Sequence, residues 1–252
     1  MKIFVYVAGI IVGLGLQPAW ASKPKYGPEG NPRAVPISKQ NSYFRNSAAK
    51  APDFYNLIGF YVPQVNGYSC SAASVSMVVN AARTQLPQTS DDTVVTQQSL
   101  LDKVSINGWK ERLSEKGYNG KHGTELEVLG PIVLESLKMH GFPLAQVEVK
   151  HADLTKKFRK DIVKLLTSNE ASSKDFLIVN FNQQVYTDDA EAGHIGVVGA
   201  YDATNAQVLI LDPDRDYYEP YWISVDTFIK GMATLDKGSK KTRGYVYVKT
   251  GS

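Results

Sequence analysis

The sequence contains a single cysteine, Cys70, whose surroundings favour a role as a nucleophile. It follows Ser69, a residue type that often precedes helices, and small and apolar residues at helical spacing continue from there to Arg83. The N-terminus of a helix favours negative charge because its N–H groups are unsatisfied and the helix dipole is positive there. Since the thiolate is the reactive form of cysteine, this position suits catalysis. The alternative is a buried cysteine that packs as a small apolar residue.

A histidine and an aspartate lie at the ends of two predicted strands. Gly193 and His194 begin one strand, and Asp212 ends the next, 18 residues after the histidine. If these strands form a hairpin, Asp212 can accept a hydrogen bond from one ring nitrogen and leave the other facing Cys70. The glycine would let a substrate backbone approach closely, since it has no Cβ. The alternatives are a hydrogen-bonded edge histidine and a turn aspartate ahead of Pro213.

Gln64 lies six residues before Cys70, across a loop that contains Gly67. Its side-chain amide and the backbone N–H of the cysteine could together donate hydrogen bonds to a carbonyl oxygen that becomes an oxyanion. A loop glutamine considered alone is more often simply solvated. The order glutamine, cysteine, histidine, then carboxylate is, however, that of papain-like enzymes. The four residues together predict a cysteine nucleophile that attacks an amide or peptide carbonyl.

The first 21 residues differ in character from the rest of the chain. Lys2 precedes a run of apolar residues and glycines from Ile3 to Leu16, and Ala19-Trp20-Ala21 fits the cleavage pattern of a secretory signal. We therefore predict a signal peptide over residues 1–21 and a secreted or periplasmic protein, with no stable membrane span after cleavage. An uncleaved anchor is the alternative, but the run is shorter than the roughly 20 residues of a spanning helix. Exported proteins usually pair their cysteines, and a single cysteine has no partner within the chain.

The remaining sequence predicts one folded catalytic domain. The 252 residues carry a formal net charge of +3 without a basic block, which argues against a nucleic-acid surface. Residues 22–50 are rich in Pro, Gly, Ser and Asn and predict an extended N-terminal arm, followed by the catalytic domain over residues 51–252. Helices are predicted at Ser69–Arg83, Leu100–Leu113, Glu125–His140 (capped by Thr124), Leu154–Leu166 and Val225–Met232, and strands at Phe176–Phe181, His194–Tyr201, Gln207–Leu211 and Gly244–Lys249. Helices first and antiparallel strands later indicate an α+β fold.

Three segments resemble the phytochelatin synthase family: Gln64–Asn80 (QVNGYSCSAASVSMVVN), Leu177–Asn180 (LIVN), and Gly193-His194-Ile195 followed by Leu209–Asp212 (LILD). The resemblance runs from about residue 50 to the C-terminus. It implies a papain-like fold, in which a helical N-terminal lobe packs on an antiparallel sheet lobe. It also implies cleavage of the Cys-Gly bond of glutathione through a γ-Glu-Cys acyl-enzyme, with release of glycine. The acyl group then passes to water or to a second glutathione, which is phytochelatin synthesis.

The resemblance also assigns roles. Cys70 is the nucleophile, His194 the base, Asp212 the carboxylate and Gln64 the oxyanion donor.

Substrate binding is assigned to three further residues: Asn180, Gly193 and Arg243. A solvated cation beside the last strand is the alternative for Arg243. Two departures from the family pattern stand out: Ser71 replaces a glycine after the cysteine, and Asn180 is not followed by the arginine that the family often has three residues later. The second departure puts one cationic contact to a substrate carboxylate in doubt. No cysteine-rich C-terminal region like that of the plant members follows, so hydrolysis is expected to dominate over synthesis.

No tightly bound cofactor is expected. His122, His140 and His151 have no metal-ligand spacing and predict surface or core roles, and residues 212–216 lack the glycine and final glutamate of a calcium loop. Soft divalent ions such as Cd²⁺ or Zn²⁺ are expected only as thiolate complexes of the substrate. The expected partners are glutathione and thiol peptides, with a homodimer left open. The alternative functions are an exported papain-like peptidase of other specificity and a non-catalytic protein that binds metals or thiol peptides.

Overall fold

The computed structural model describes residues 24–46, 49 and 51–251. The predicted signal peptide, residues 1–21, lies outside the described residues. The helices are α1 (Ser42–Arg45), α2 (Pro52–Ile58), α3 (Cys70–Arg83), α4 (Gln97–Lys103), α5 (Trp109–Arg112), α6 (Leu126–Met139), α7 (Lys156–Asn169), α8 (Gln183–Thr187) and α9 (Val225–Met232). The strands are β1 (Ala34–Pro36), β2 (Gln146–His151), β3 (Asp175–Asn182), β4 (Gly193–Asp202), β5 (Gln207–Leu211), β6 (Tyr221–Ser224) and β7 (Gly244–Lys249).

The described strands form one sheet in the order β1-β6-β5-β4-β3-β7-β2, and every neighbouring pair is antiparallel. β4 and β5 make the predicted hairpin, with a bulge between Val198 and Ala200. The predicted α+β fold, with helices preceding most of an antiparallel sheet, is confirmed. Among the described residues, no helix combines the length and apolar character needed to cross a membrane.

Successive side chains of the central strands point to opposite sides of the sheet, and both sides are buried in apolar clusters. Ile178 on β3 and Val197 on β4 belong to the apolar cluster that contains α3 and α6. Leu177 on β3 and Val198 on β4 belong to the second cluster, which contains α7 and α9. This double burial explains why β3 reads as a continuous apolar run and not as an alternating pattern. The central strands thus form a rigid layer, and the ends of β3 and β4 can hold side chains in fixed positions.

The predicted helix Leu100–Leu113 is wrong, because two residues in its middle adopt left-handed backbone angles. α4 ends at Lys103, because the backbone is extended at Val104. A 3₁₀ turn follows over Ile106–Gly108, in which Asn107 has φ +50° and Gly108 has φ +64°, and α5 begins afterwards. The ring of Tyr118 packs against Gly108 and leaves no room there for a Cβ. Glycine at this position is therefore required both by the backbone angles and by the ring.

Two predicted helix caps are also corrected. The Ser69 side chain does not cap α3, since its hydroxyl bonds with the backbone of Asn66. Thr124 does not cap α6, whose N-cap is Glu125, and its hydroxyl bonds instead with the Ser71 hydroxyl at 2.9 Å. Both hydroxyls thus stabilise the start of α3 through the loops around it.

Candidate active site

The start of α3 places Cys70 beside the sheet. Every residue of α3 from Cys70 to Ala82 is buried, which its small side chains permit between the sheet and the helices α2 and α6. The Ser74 hydroxyl donates to the backbone oxygen of Ile195 at 3.3 Å and ties the helix to β4. At the first turn, the Trp109 indole donates to the Ser71 hydroxyl at 2.9 Å. These contacts fix the cysteine relative to the strand that carries His194.

His194 lies between Cys70 and Asp212, as the hairpin register predicted. Its Nε2 atom and Oδ1 of Asp212 are 2.6 Å apart. The other ring nitrogen, Nδ1, does not bond Asp212, and Cys70 lies close enough to His194 to raise the pKa of the imidazole. Phe181, the partner of His194 on β3, sets its ring perpendicular to the imidazole with centroids 5.5 Å apart. The histidine is thus held from three sides.

The carboxylate of Asp212 is fully buried, and both of its oxygens accept hydrogen bonds. Oδ1 accepts from His194 and from the backbone N–H of Asp214 at 3.0 Å. Oδ2 accepts from the Tyr221 hydroxyl at 2.8 Å, and the Tyr61 hydroxyl donates to the backbone oxygen of Asp212. A buried charge is costly unless it is paired in this way.

The opposite charges of His194 and Asp212 offset the free-energy cost of burying both groups. Burial lowers the pKa of His194, but the charge and hydrogen bond of Asp212, with the neighbouring Cys70, raise it well above 6.5. Burial likewise raises the pKa of Asp212, while the charge of His194 and the donated hydrogen bonds hold it below 3.8. Both shifts favour the charged forms, an imidazolium paired with a carboxylate, which is the arrangement that activates a cysteine nucleophile.

Gln64 is anchored next to the aspartate. Its backbone N–H donates to the Pro213 oxygen at 2.8 Å, so the loop before α3 is joined to the loop after β5. Its side-chain oxygen Oε1 is buried and has no hydrogen-bond partner among the described residues. Gln64 is not among the residues that line the cleft around Cys70. The structure thus joins the backbone of Gln64 to Pro213, the residue after Asp212, and leaves its side-chain oxygen without a hydrogen-bond partner among the described residues.

A cleft of about 310 Å³ opens beside Cys70, and the three predicted substrate-binding residues line it. Asn180 on β3 is buried, and its Oδ1 atom has no partner among the described residues. Arg243 is 8% exposed, which excludes the alternative of a solvated cation. Its Nη1 atom donates to the Leu235 oxygen at 2.6 Å and its Nε atom has no partner among the described residues. Burial lowers the pKa of Arg243, partly opposed by the charges of Asp236 and Glu191, and the group stays cationic.

Gly193, which lines the cleft, also lies against the side chain of Arg243. A Cβ built at this position would lie 2.7 Å from Nη2 of Arg243. The missing side chain therefore makes room for the guanidinium itself. The guanidinium of Arg243 thus lies against the first residue of β4, next to His194.

The cleft has a second wall, whose residues no sequence pattern singled out. It is made by the loop before α6 and by the loop before β7, and its residues are Lys121, His122, Gly123, Thr124, Glu125, Asp236 and Gly238. The glycine-rich stretch ahead of α6 signalled a loop, but its position opposite Cys70 depends on tertiary packing. The Glu125 carboxylate is paired with Lys121 at 3.0 Å and with Arg112 at 3.5 Å.

The other histidines are accounted for by packing or by the cleft wall. His122 stacks on Tyr68 with centroids 4.6 Å apart, at the edge of the cleft. His140 bonds with the Ser136 oxygen at 2.6 Å, and His151 bonds with Thr242. Within the ranges that the structure describes, no group of three or more histidine, cysteine or carboxylate side chains is arranged to hold a metal ion.

Comparison with known proteins identifies relatives over most of the described residues. The family model described as phytochelatin synthase matches residues 34–245. A glutathione gamma-glutamylcysteinyltransferase 1 of Lotus japonicus is 25% identical over 202 residues, which cover 77% of this chain and 35% of that protein. The protein of the same name in Arabidopsis thaliana is 25% identical over 205 residues, covering 77% of this chain and 36% of the relative. A glutathione gamma-glutamylcysteinyltransferase of Schizosaccharomyces pombe is 30% identical over 89 residues, 35% of this chain and 20% of that protein.

The chain thus spans about a third of the length of the curated relatives that it matches over most of its length. The family match includes α3, both strands of the β4–β5 hairpin and Arg243. It agrees with the resemblance carried by the segments around Cys70, Asn180 and His194. The α+β architecture, with an antiparallel sheet behind a buried N-terminal helix, is the papain-like arrangement expected of that family. This chain belongs to the phytochelatin synthase family.

Proposed function

We propose that the protein cleaves the Cys-Gly bond of glutathione through a γ-Glu-Cys acyl-enzyme on Cys70. The observation that carries the proposal is a cleft lined by Cys70, His194 and the buried cation Arg243, in which His194 is hydrogen-bonded to Asp212 behind it. The named relatives are glutathione gamma-glutamylcysteinyltransferases, which supports this substrate for the present chain.

The proposed acylation conserves every atom of the substrate. The Cys70 thiolate attacks the carbonyl carbon of the cysteinyl residue, and the carbonyl oxygen takes up the negative charge. The backbone N–H of Cys70 and, in our proposal, the side-chain amide of Gln64 stabilise that oxyanion. When the C–N bond breaks, His194 gives its proton to the nitrogen of the leaving glycine. The product is a thioester between Cys70 and γ-Glu-Cys.

In deacylation, His194 takes a proton from the incoming nucleophile while that nucleophile attacks the thioester. With water, the product is free γ-Glu-Cys. With the amine of a second glutathione, the product is a longer thiol peptide. Asp212 keeps the imidazole in one orientation through both steps.

The charges of the cleft fit the γ-glutamyl end of glutathione. A glutamate linked through its side chain keeps a free α-carboxylate and a free α-ammonium. Arg243 offers a buried cation to the carboxylate. Asp236 in the same cleft and the unpaired Oδ1 of Asn180 offer acceptors to the ammonium. An internal peptide segment has neither charge, which argues against a general peptidase.

Soft metals and export belong to the same proposal. We propose that Cd²⁺ or Zn²⁺ enters as a thiolate complex of the substrate, because thiolates are the ligands these ions prefer. We further propose that residues 1–21 direct export, so that the enzyme acts outside the cytoplasm. N-terminal sequencing of the protein from fractionated cells tests the second point, and retention of Met1 in the cytoplasmic fraction would contradict it.

Glycine release tests the reaction. The protein is incubated with glutathione, and free glycine is quantified in parallel for Cys70→Ala and for γ-Glu-Cys as a substrate without glycine. We expect glycine only from the intact protein with glutathione. Turnover of unrelated peptides without any release of glycine from glutathione would overturn the proposal in favour of a different peptidase.

A further inference from the structure

The Asp212 oxygen that does not face His194 is held by a buried tyrosine. Tyr221, the first residue of β6, is fully buried and donates its hydroxyl to Oδ2 of Asp212 at 2.8 Å. Oδ1 is occupied by His194 at 2.6 Å and by the N–H of Asp214 at 3.0 Å. A carboxylate can rotate about its Cβ–Cγ bond, and donors on both oxygens prevent this. Tyr221 therefore fixes the plane in which Asp212 presents Oδ1 to the imidazole.

Tyr221 is itself enclosed by aromatic rings, one of which comes from the N-terminal segment. The rings of Tyr218 and Tyr26 lie with centroids 6.0 and 5.8 Å from that of Tyr221, both in tilted or edge-on contact. Tyr26 precedes the residues 34–245 that match the family model. Its carbonyl accepts from the N–H groups of Arg33 at 2.8 Å and Ala34 at 3.3 Å, which closes a loop over the cluster.

That loop is attached to the domain by charged contacts. The guanidinium of Arg33 is 2.8 Å from the Asp188 carboxylate and donates to the Gln184 oxygen at 2.7 Å. The N–H of Glu219 donates to the Tyr26 hydroxyl at 3.3 Å. The loop thus holds Tyr26 over Tyr221 and keeps water away from the hydroxyl that bonds Asp212.

We propose that Tyr221 is a positioning residue for the Asp212–His194 pair, and that Tyr26 of the preceding segment holds Tyr221 in place. The proposal rests on the cysteine chemistry of the proposed function but not on the identity of its substrate. Burial, with the charge of Asp212, raises the pKa of Tyr221 well above 10, so its hydroxyl remains a donor throughout the working pH range. Tyr221 and Tyr26 are not among the residues that line the cleft, so any effect of these two tyrosines on catalysis passes through Asp212.

Loss of the hydroxyl should change the protonation of His194. The ionisable groups around the imidazole are Cys70 on α3, Asp212 and Asp214 after β5, and Arg243 ahead of β7. Asp212 is the group among them that raises the pKa of the imidazole most, ahead of Cys70. A carboxylate that can rotate away from Nε2 stabilises the imidazolium less. The pKa of His194 should therefore fall.

Three variants of the full chain test the proposal: Tyr221→Phe, Tyr26→Leu, and Tyr247→Phe as the control. Tyr247 also donates to an aspartate, Asp175, at 2.6 Å, but on β7 and away from the cleft. The pKa of His194 is followed by ¹H–¹⁵N NMR of the imidazole nitrogens, which needs no substrate. Glycine release from glutathione gives kcat and KM, and far-UV circular dichroism reports folding.

For Tyr221→Phe we expect the pKa of His194 to fall by about one unit and kcat to fall about tenfold with KM unchanged, the size of one hydrogen bond to a charged group. Tyr26→Leu should shift both in the same direction by less, and Tyr247→Phe should match the wild type. A wild-type pKa of His194 in a folded Tyr221→Phe protein would overturn the proposal. If Tyr221→Phe does not fold, a wild-type pKa of His194 in a folded Tyr26→Leu protein would overturn the proposal instead. If even the wild type releases no glycine, the proposed function fails while the NMR titration still decides the role of Tyr221.

Discussion

Replacing Gly193 with alanine tests whether Arg243 binds the substrate. The added Cβ would lie 2.7 Å from Nη2 of the guanidinium, against an ordinary separation of about 3.5 Å. The guanidinium must therefore retreat by about 0.8 Å, the difference between these distances. Its hydrogen bond to the Leu235 oxygen, now 2.6 Å long, and the contact with substrate cannot both survive this movement.

The expected loss is that of one charge-assisted hydrogen bond. Such a bond contributes about 1.5–3 kcal/mol, and about 1.4 kcal/mol corresponds to a factor of ten. We therefore expect Gly193→Ala to raise the KM for glutathione at least about tenfold. Because the methyl group points at Arg243 and not at the catalytic pair, alkylation of Cys70 by iodoacetamide should keep its wild-type rate.

The matched control is Gly59→Ala. A Cβ at Gly59 meets no atom within 4 Å, and the backbone there is helical. Initial rates of glycine release are measured for both variants over a range of glutathione concentrations. A wild-type KM in Gly193→Ala would refute the assignment of Arg243 to substrate binding. A slow Cys70 alkylation in that variant would instead show that the methyl group disturbs the nucleophile.

Three further predictions concern the catalytic pair and the core. Asp212→Asn should lower kcat by on the order of 10⁴-fold and move the basic limb of the pH–rate profile to lower pH, because the imidazolium of His194 loses the carboxylate that raises its pKa; a full pH–rate profile checks both effects. Burial and the charge of Glu170 raise the pKa of Asp53 to about 8 in the folded protein. Because this carboxyl ionises near pH 4 in the unfolded chain, the folded protein should lose stability as the pH rises from about 4 to 8. In urea unfolding, Asp53→Asn should therefore be more stable than the wild type at pH 8.5 but not at pH 4. Ser71→Ala should lower the free energy of unfolding by about 1–3 kcal/mol in the same assay, because it leaves the buried indole N–H of Trp109 without its acceptor.

The catalytic geometry was accessible from sequence because it depends on local spacing. Two strands joined by a short turn and paired as far as Val197 and Leu211 bring the start of β4, with His194, close to Asp212, which follows β5. Cys70 could be placed at a helix start from the pattern of small residues behind it. In these cases the sequence distance itself limits where the side chains can lie.

Other features depend on packing between distant parts of the chain. The break at Asn107 and Gly108 is invisible to an apolar pattern, because it follows from left-handed backbone angles next to the Tyr118 ring. The edge strands β1 and β2 are short or half-exposed and lack the apolar run of β3. The contact of Tyr221 with Asp212 required the register of β5 against β6, which no local signal predicts.

The central claim is that Cys70 carries a γ-Glu-Cys acyl group during turnover. Intact-mass spectrometry after rapid mixing with glutathione and acid quenching tests it directly, with peptide mapping to locate the adduct and Cys70→Ala as the control. We predict a mass increase of one γ-Glu-Cys unit less water, located on Cys70 and absent from the control. Release of glycine without this adduct, or the same adduct in Cys70→Ala, would contradict the account.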